Sequence, residues 1–315
     1  MFVLAHLSDP HLAPLPAPRL SELASKRLLG FLNWRFTRFR IHRAEVLERL
    51  IQDLKNQSPG HIAVTGDLVN ISLPDEFANA LAFLKWLGPA SDVTVVPGNH
   101  DAYVRSAGDG RLRSWADYMR GDSEVPSADA APSFPFVRRR GPVALIGVST
   151  AVPTPPFAAT GRLGPEQIAR LSQLLEQLGT ENLFRIVLIH HPPAGERPSL
   201  RRLTDAHDLV QVLKDRGAEL VLHGHDHIAS LNWLPGPRGR IAVIGVPSAS
   251  ASADSREVPA AYNLYRIKEA PGSGWLCEVV SRGFHAGEQR AREIGRHRMS
   301  IDSAAVRPQT AAGPT

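Results

Sequence analysis

Two short stretches, PGNHD (97–101) and LHGHDH (222–227), crowd histidine, aspartate and asparagine into positions directly after apolar runs. Three further stretches repeat the arrangement. HLSDPHL brings Asp9 and His11, VTGDLVN brings Asp67, and LIHHPP brings His190 and His191. With Asn99, His100, Asp101, His223, His225 and His227, this makes a set rich in imidazole and carboxylate. Cys277 is the only cysteine, so no thiolate cluster and no intramolecular disulfide is available. Imidazole with carboxylate suits Mn, Fe, Co, Ni or Zn, whereas Ca prefers oxygen alone. The donors are too many for one ion. Two ions roughly 4 Å apart, sharing a bridging carboxylate, would use them all and would form a clamp suited to in-line displacement at phosphorus.

Such donors must be gathered from positions more than 200 residues apart, which requires a framework that ends many elements at one place. Apolar, β-branched runs at 2–8, 61–66, 93–98, 143–149, 184–190 and 218–224 read as strands buried on both faces. Later candidates lie at 241–247, 263–267 and 276–280. Helical stripes separate several of them: Val46, Leu47, Leu50, Ile51 and Leu54; Phe77, Leu81 and Leu84; and Ile168, Leu171, Leu174, Leu175 and Leu178. Pro165 and Gly179 bracket the last. This alternation predicts an α/β fold with a large, mostly covered sheet. The carboxyl ends of such strands converge on one crevice, where ligands bind. Gly66, Gly98 and Gly224 sit where the chain must turn sharply to present these side chains.

Composition narrows the alternatives. At 315 residues the chain can bury a substantial core, and no apolar run approaches the ~20 residues of a membrane span. The opening FVLAHLSDPHL lacks the basic start and cleavage site of a secretory signal, which favours a cytoplasmic protein. Of the net charge of +5, the excess is local, because residues 19–43 hold seven basic residues against Glu22 alone. No stable nucleic-acid partner is therefore expected.

The series D-x-H, G-D, G-N-H-D, H and G-H-x-H, in this order across residues 3–228, resembles the calcineurin-like metallophosphoesterase superfamily. The motifs LSDPHL, GDLVN, PGNHD and HHPP are most similar to its bacterial class III cyclic-nucleotide phosphodiesterase group. The resemblance implies a four-layer α/β/β/α sandwich of two mixed sheets, with the strands at 241–280 completing the second. It implies two divalent ions as cofactors, Mn or Fe first, with Zn, Co and Ni compatible. Asp9, His11, Asp67 and His227 would hold one ion, and Asp67, Asn99, His190 and His225 the other. His100 would be the catalytic histidine that is not a ligand. The implied reaction is hydrolysis of a small phosphodiester, a cyclic nucleotide first, by a hydroxide bridging the ions. Many relatives carry Asp three residues after the bridging aspartate. Here Asn70 stands there, which leaves less negative charge to support His100, and Asp101 is a substitute to consider. Within the superfamily the alternatives are a nuclease or a lipid-linked pyrophosphate hydrolase. A non-catalytic scaffold would have lost ligands that this chain keeps.

Taken singly, each residue has a plainer reading, as a hydrogen-bonded structural histidine or a turn or cap aspartate; the joint order argues for chemistry. His191 and His223 flank ligand candidates and are candidates for substrate or outer contacts, while His6 reads as packing. Two segments break the alternation: a basic, aromatic arm (14–43) and a loop insert (102–133), either of which could overhang the site. For the arm, the plain reading is that Phe31, Trp34, Phe36 and Phe39 pack on the body while the arginines stay solvated. The alternatives are a lid offering arginine to a substrate phosphate and a weak contact of 19–43 with an anionic membrane. We expect one domain over 1–283 and a disordered tail over 284–315. A homodimer is compatible with the sequence.

Overall fold

The computed structural model describes residues 1–105, 112–124, 131–271, 274–285 and 287–301. Two six-stranded mixed sheets form its centre, with strands numbered in chain order. The first runs β12-β11-β10-β1-β2-β3, from Arg292–Ile301, Trp275–Gly283, Ala261–Glu269, Phe2–Leu7, His61–Val64 and Val93–Val95. The second runs β4-β5-β6-β7-β9-β8, from Phe136–Arg140, Val143–Gly147, Phe184–Leu188, Leu220–His223, Gly239–Gly245 and Ser230–Gly236. Parallel pairs join β1/β2/β3 at one side of the first sheet, with antiparallel β10, β11 and β12 beyond β1, and β5/β6/β7/β9 in the interior of the second, with antiparallel β4 and β8 at its edges. Because parallel strands end on the same side, every motif loop emerges at one edge of the molecule.

Period-two burial produces the layers. In β6, Phe184, Ile186 and Leu188 enter the core shared by the two sheets. Val187 and Ile189 face the opposite way, onto Leu171, Leu175, Leu209 and Leu213 of the helices Pro165–Leu178 and Ala206–Arg216. In β7, Leu220 and Leu222 likewise oppose Val221. The helices Ala44–Asn56 and Pro74–Leu87 pack Leu47, Leu50, Ile51, Leu54, Phe77 and Leu84 into the first core. The four-layer α/β/β/α sandwich expected from the sequence is thus present. Among the described residues no helix is long and apolar enough to cross a membrane.

The structure differs from the expectation in four places. Of the strands at 241–280 only β9 joins the second sheet, whereas β10 and β11 pair beyond β1 and complete the first. The chain from 284 is not all tail, because Arg292–Ile301 forms β12 on the edge of the first sheet. Met299 and Ile301 are buried there, and Arg296 and Arg298 both reach Glu278 of β11. Residues 302–315 lie outside the described residues. The described part of the insert divides: Tyr103 stacks on His100 at the site, whereas the helical piece beyond it packs away, with Trp115 stacked on Phe77 at a centroid distance of 5.1 Å and donating to its carbonyl at 3.1 Å. In the arm, finally, not every arginine is solvated. Arg27 is buried and donates to the Ile71 and Ser72 carbonyls at 3.1 and 2.7 Å. Phe31 and Trp34 do pack, on Leu15, Ile71 and Leu73, whereas Phe36 is 70% exposed.

Candidate metal centre

The loops that follow β1, β2, β3, β6 and β7 bring Asp9, His11, Asp67, Asn99, His100, His190, His225 and His227 to one place. His227 Nε2 lies 3.3 Å from both Asp9 Oδ1 and His11 Nε2. Asp67 Oδ2 is 3.4 Å from His190 Nε2 and 3.8 Å from His11 Nε2, so this one carboxylate lies between two groups of imidazoles. Asn99 Oδ1 is 3.2 Å from His190 Nε2 and 3.0 Å from His225 Nδ1.

Holding these side chains requires unusual backbone. Asp9, His11, Asp67, His225 and His227 all have φ between 37° and 71°, the left-handed region that costs a residue with a Cβ on the order of 1–3 kcal/mol. Only three other described residues with a side chain, Ser58, Ser72 and Phe157, share that region, so the strain gathers at the site. Gly98 and Gly224 permit the close approach: a Cβ on the first would collide with Asp67 Oδ1, and on the second with Asp9 Oδ2 and Ser8 Oγ. Asp101 secures the floor, accepting from the backbone N–H groups of Asp67, Leu68, Val69 and Gly98 at 2.8–3.1 Å. Glu76 does the same one loop further out, accepting from Ile71 and Leu73 at 3.1 and 2.9 Å.

The hydrogen bonds fix which ring nitrogen faces inward. A carbonyl or carboxylate only accepts, so a ring nitrogen bound to one must carry a proton, and the other nitrogen is the one left to take a proton or a cation. His11 Nδ1 donates to the Val69 carbonyl at 3.2 Å, His190 Nδ1 to Thr65 at 2.7 Å and His225 Nε2 to Arg201 at 2.9 Å. His227 Nδ1 donates to Glu257 at 2.9 Å. The inward nitrogens of His11 and His227 therefore face each other at 3.3 Å, beside Asp9 Oδ1, which is buried without a hydrogen-bond partner. Two bare lone pairs would repel at this distance, so positive charge belongs between them, as a proton on His227 Nε2 in the metal-free chain or as a cation in its place. The electrostatics agree. Against the penalty of burial, Asp9 and then Glu257 raise His227 to about 9, and Asp67 raises His190 to about 10. The carboxylates create a field that draws cations to this point. The donor set fits divalent transition metals, with outer partners that orient each imidazole as such sites require.

His100 occupies a different position. Its backbone N–H donates to Asp67 Oδ1 at 2.8 Å, its Nδ1 donates to the Asn70 carbonyl, and its ring stacks on Tyr103 with centroids 5.5 Å apart. Burial, and next the charge of Arg38, lower it to about 4. Asn70 thus engages His100 through its backbone and not through its amide, whose nitrogen donates to the Leu12 carbonyl at 2.9 Å. Asp101, bound to four backbone N–H groups, is not the substitute considered for it. His191 lies against His190 and His225 but has both nitrogens engaged, by Thr150 Oγ1 at 2.7 Å and the Ala159 carbonyl at 3.1 Å. His223 is not brought to the cluster; its nitrogens meet the Gly224 carbonyl and Ser230 Oγ.

Three participants were not singled out from the sequence. Glu257 comes from a loop with no local pattern. Arg38 and His42 come from the arm, where a π-helical turn, Trp34–Arg38, places Arg38 Nη1 3.2 Å from His100 Nε2. The lid alternative for the arm already offers an arginine to the site, but nothing local distinguishes Arg38 from its basic neighbours.

Residues 2–229 match the calcineurin-like phosphoesterase family, and the chain belongs to it. It is therefore a metal-dependent phosphoric ester hydrolase, of a family that uses a dinuclear metal centre. Among solved structures, a dimetal phosphatase from Danio rerio is 13% identical with a TM-score of 0.59, covering 96% of this chain and 99% of its own. Purple acid phosphatase PPD1 from yellow lupin (Lupinus luteus) gives 13% and 0.59 over 99% of this chain and 57% of its own. GAP50, the anchor in the inner membrane complex of Plasmodium, gives 14% and 0.53 over 96% and 89%. At these identities the likeness shows the fold alone. No curated protein matches the sequence.

Proposed function

We propose that the chain hydrolyses a small phosphodiester, cyclic nucleotides being the first class to test, at two ions that share Asp67. Asp9, His11, Asp67 and His227 would hold one ion, and Asp67, Asn99, His190 and His225 the other. The observation that carries this reading is the convergence of the inward nitrogens of His11 and His227 on Asp9, with Asp67 between the two imidazole groups. Two such ions supply Lewis acidity and a water made nucleophilic at neutral pH. The protein's own groups do the rest. Arg38, held over the site by His100, donates to a phosphoryl oxygen as charge develops. His100, with its proton on Nδ1 and directed at the Asn70 carbonyl, acts by fixing Arg38 and not as a proton source. The motifs LSDPHL, GDLVN, PGNHD and HHPP support the diester choice. The test is turnover of bis(p-nitrophenyl) phosphate with Mn²⁺, followed by 2′,3′- and 3′,5′-cyclic nucleotides. No turnover with Mn, Fe or Zn would overturn the reaction class, and comparable rates on unrelated esters would overturn the cyclic-nucleotide choice.

One observation favours a second reading, in which the substrate is an amphiphilic pyrophosphate at an anionic lipid surface. The arm that carries Arg38 leaves Leu28, Leu29, Leu32 and Phe36 at 41–70% exposure, beside exposed Arg35 and Arg40. Apolar side chains with flanking arginines suit the interface of an anionic bilayer better than a nucleic acid. On this reading the full chain pellets with phosphatidylglycerol vesicles, and Phe36→Glu weakens pelleting. Equal, negligible pelleting of both would remove it.

A further inference from the structure

We propose that His42 is an additional ligand of the ion held by Asp9, His11 and His227, so that the arm completes the metal site. The proposal rests on the dinuclear reading above. His42 directly follows the arm's last helical turn, Phe39–Ile41, outside the sequence motifs. It is 1% exposed, and its Nε2 has no hydrogen-bond partner. A buried imidazole nitrogen left in this way carries a desolvation penalty that a bound cation removes.

The ring lies at the site. The His42 ring centroid lies 4.6 Å from that of His11 and 5.8 Å from that of His227, and one ligand nitrogen from each ring lies within 4.8 Å of the others. Its second nitrogen is anchored as in the other inward-facing histidines: Nδ1 meets Ser250 Oγ at 2.9 Å. The backbone is clamped to the same segment, with Arg43 N donating to the Ser250 carbonyl at 2.9 Å and Ser252 N to the Ile41 carbonyl at 2.8 Å. That segment in turn holds Asp9, because Ser248 Oγ donates to the Asp9 carbonyl at 2.6 Å. The ring is thus anchored to the segment that holds Asp9, and Nε2 is the nitrogen left without a partner.

The contrast with other buried histidines is informative. His191 also lies beside two ligand candidates, but hydrogen bonds occupy both of its nitrogens. His6 and His61 each leave one nitrogen unpaired, but neither joins a group of ligand atoms among the described residues. His42 alone of these combines an unpaired nitrogen with a place in the cluster.

The test loads the full chain, His42→Ala and Ser250→Ala with Co²⁺ and Mn²⁺. It measures ion stoichiometry, competition against a chelator and the visible Co²⁺ spectrum. The expected result is two ions in the parent. In His42→Ala one ion should be weakened by roughly 10–100-fold, with a changed Co²⁺ band, while the other is unaffected. Ser250→Ala keeps the imidazole and frees its Nδ1, so it guards against misfolding of the first variant and should shift the same ion by less. Two ions in the parent, with unchanged affinities and spectra in both variants, would overturn the role of His42 and leave the dinuclear reading standing. A parent that binds no second ion would instead count against that reading.

Discussion

The two ends of the sheets use the same polar residue types for opposite purposes. At the carboxyl ends, His11, His190, His225 and His227 satisfy one nitrogen outside the cluster and leave the other facing inward. At the amino ends the polar groups pair mainly with one another and with nearby carbonyls, His61 Nδ1 being left over. Arg185 and Glu219, both fully buried, make a forked pair at 3.1 and 3.2 Å, with further bonds from Arg185 to the Leu175 carbonyl and from its backbone to Glu219. Arg138 donates to the Arg120 and Val93 carbonyls at 2.7 Å, and His61 pairs with Thr94 Oγ1 at 2.7 Å. One end is left electrostatically incomplete at the expense of strained backbone, and the other is closed. Stability and chemistry therefore separate along the strands.

That separation can be tested by substitution at each end. The largest effect belongs to the closed end. Glu219→Gln leaves a buried guanidinium without its counter-charge and should cost about 3–5 kcal/mol of folding stability by urea unfolding, with the ion count of the folded fraction unchanged. A loss of metal there would break the comparison. At the open end, His100→Ala should lower kcat/KM by about 10²–10³ while leaving thermal stability and metal content in place, because it removes the support of one transition-state donor. His100→Gln, which keeps an acceptor for Arg38, should recover part of the loss.

The smallest effect is a pH dependence. Burial, and then the charges of Arg140 and Arg138, lower His61 to about 3. Above about pH 6.5 the imidazole is neutral in both the folded and unfolded chain and contributes nothing to pH dependence. Below that value the unfolded chain takes up a proton that the folded chain refuses, so stability falls until pH approaches 3. The loss by pH 5 is on the order of 2 kcal/mol. His61→Gln should flatten this limb by one proton's worth of slope. An unchanged slope would assign the acid sensitivity elsewhere.

The same contrast explains what could be read without coordinates. The ligand loops were legible because each follows a run apolar on both faces, and the strand marks the position where a side chain can matter. The edge strands were harder. In β12 only Met299 and Ile301 are buried, and β8 alternates weakly, so REIGRHRMSI and SLNWLPG carry no apolar run. Glu257, Arg38 and His42 were not legible for a related reason. Each reaches the cluster through tertiary packing of a loop or an irregular helix, and local sequence does not encode where such a segment docks. Asn70 shows the limit from the other side: the residue type is plain in the sequence, but its contact with His100 is made by a carbonyl that any residue would supply.

The central claim is that one carboxylate, Asp67, serves two cations. The most direct measurement is elemental analysis of Mn²⁺-loaded full chain beside Asp67→Ala at equal protein concentration. The account predicts two ions per chain in the parent and weakened binding at both positions in the variant. A single ion in the parent, or two ions retained with unchanged affinity after Asp67→Ala, would contradict it.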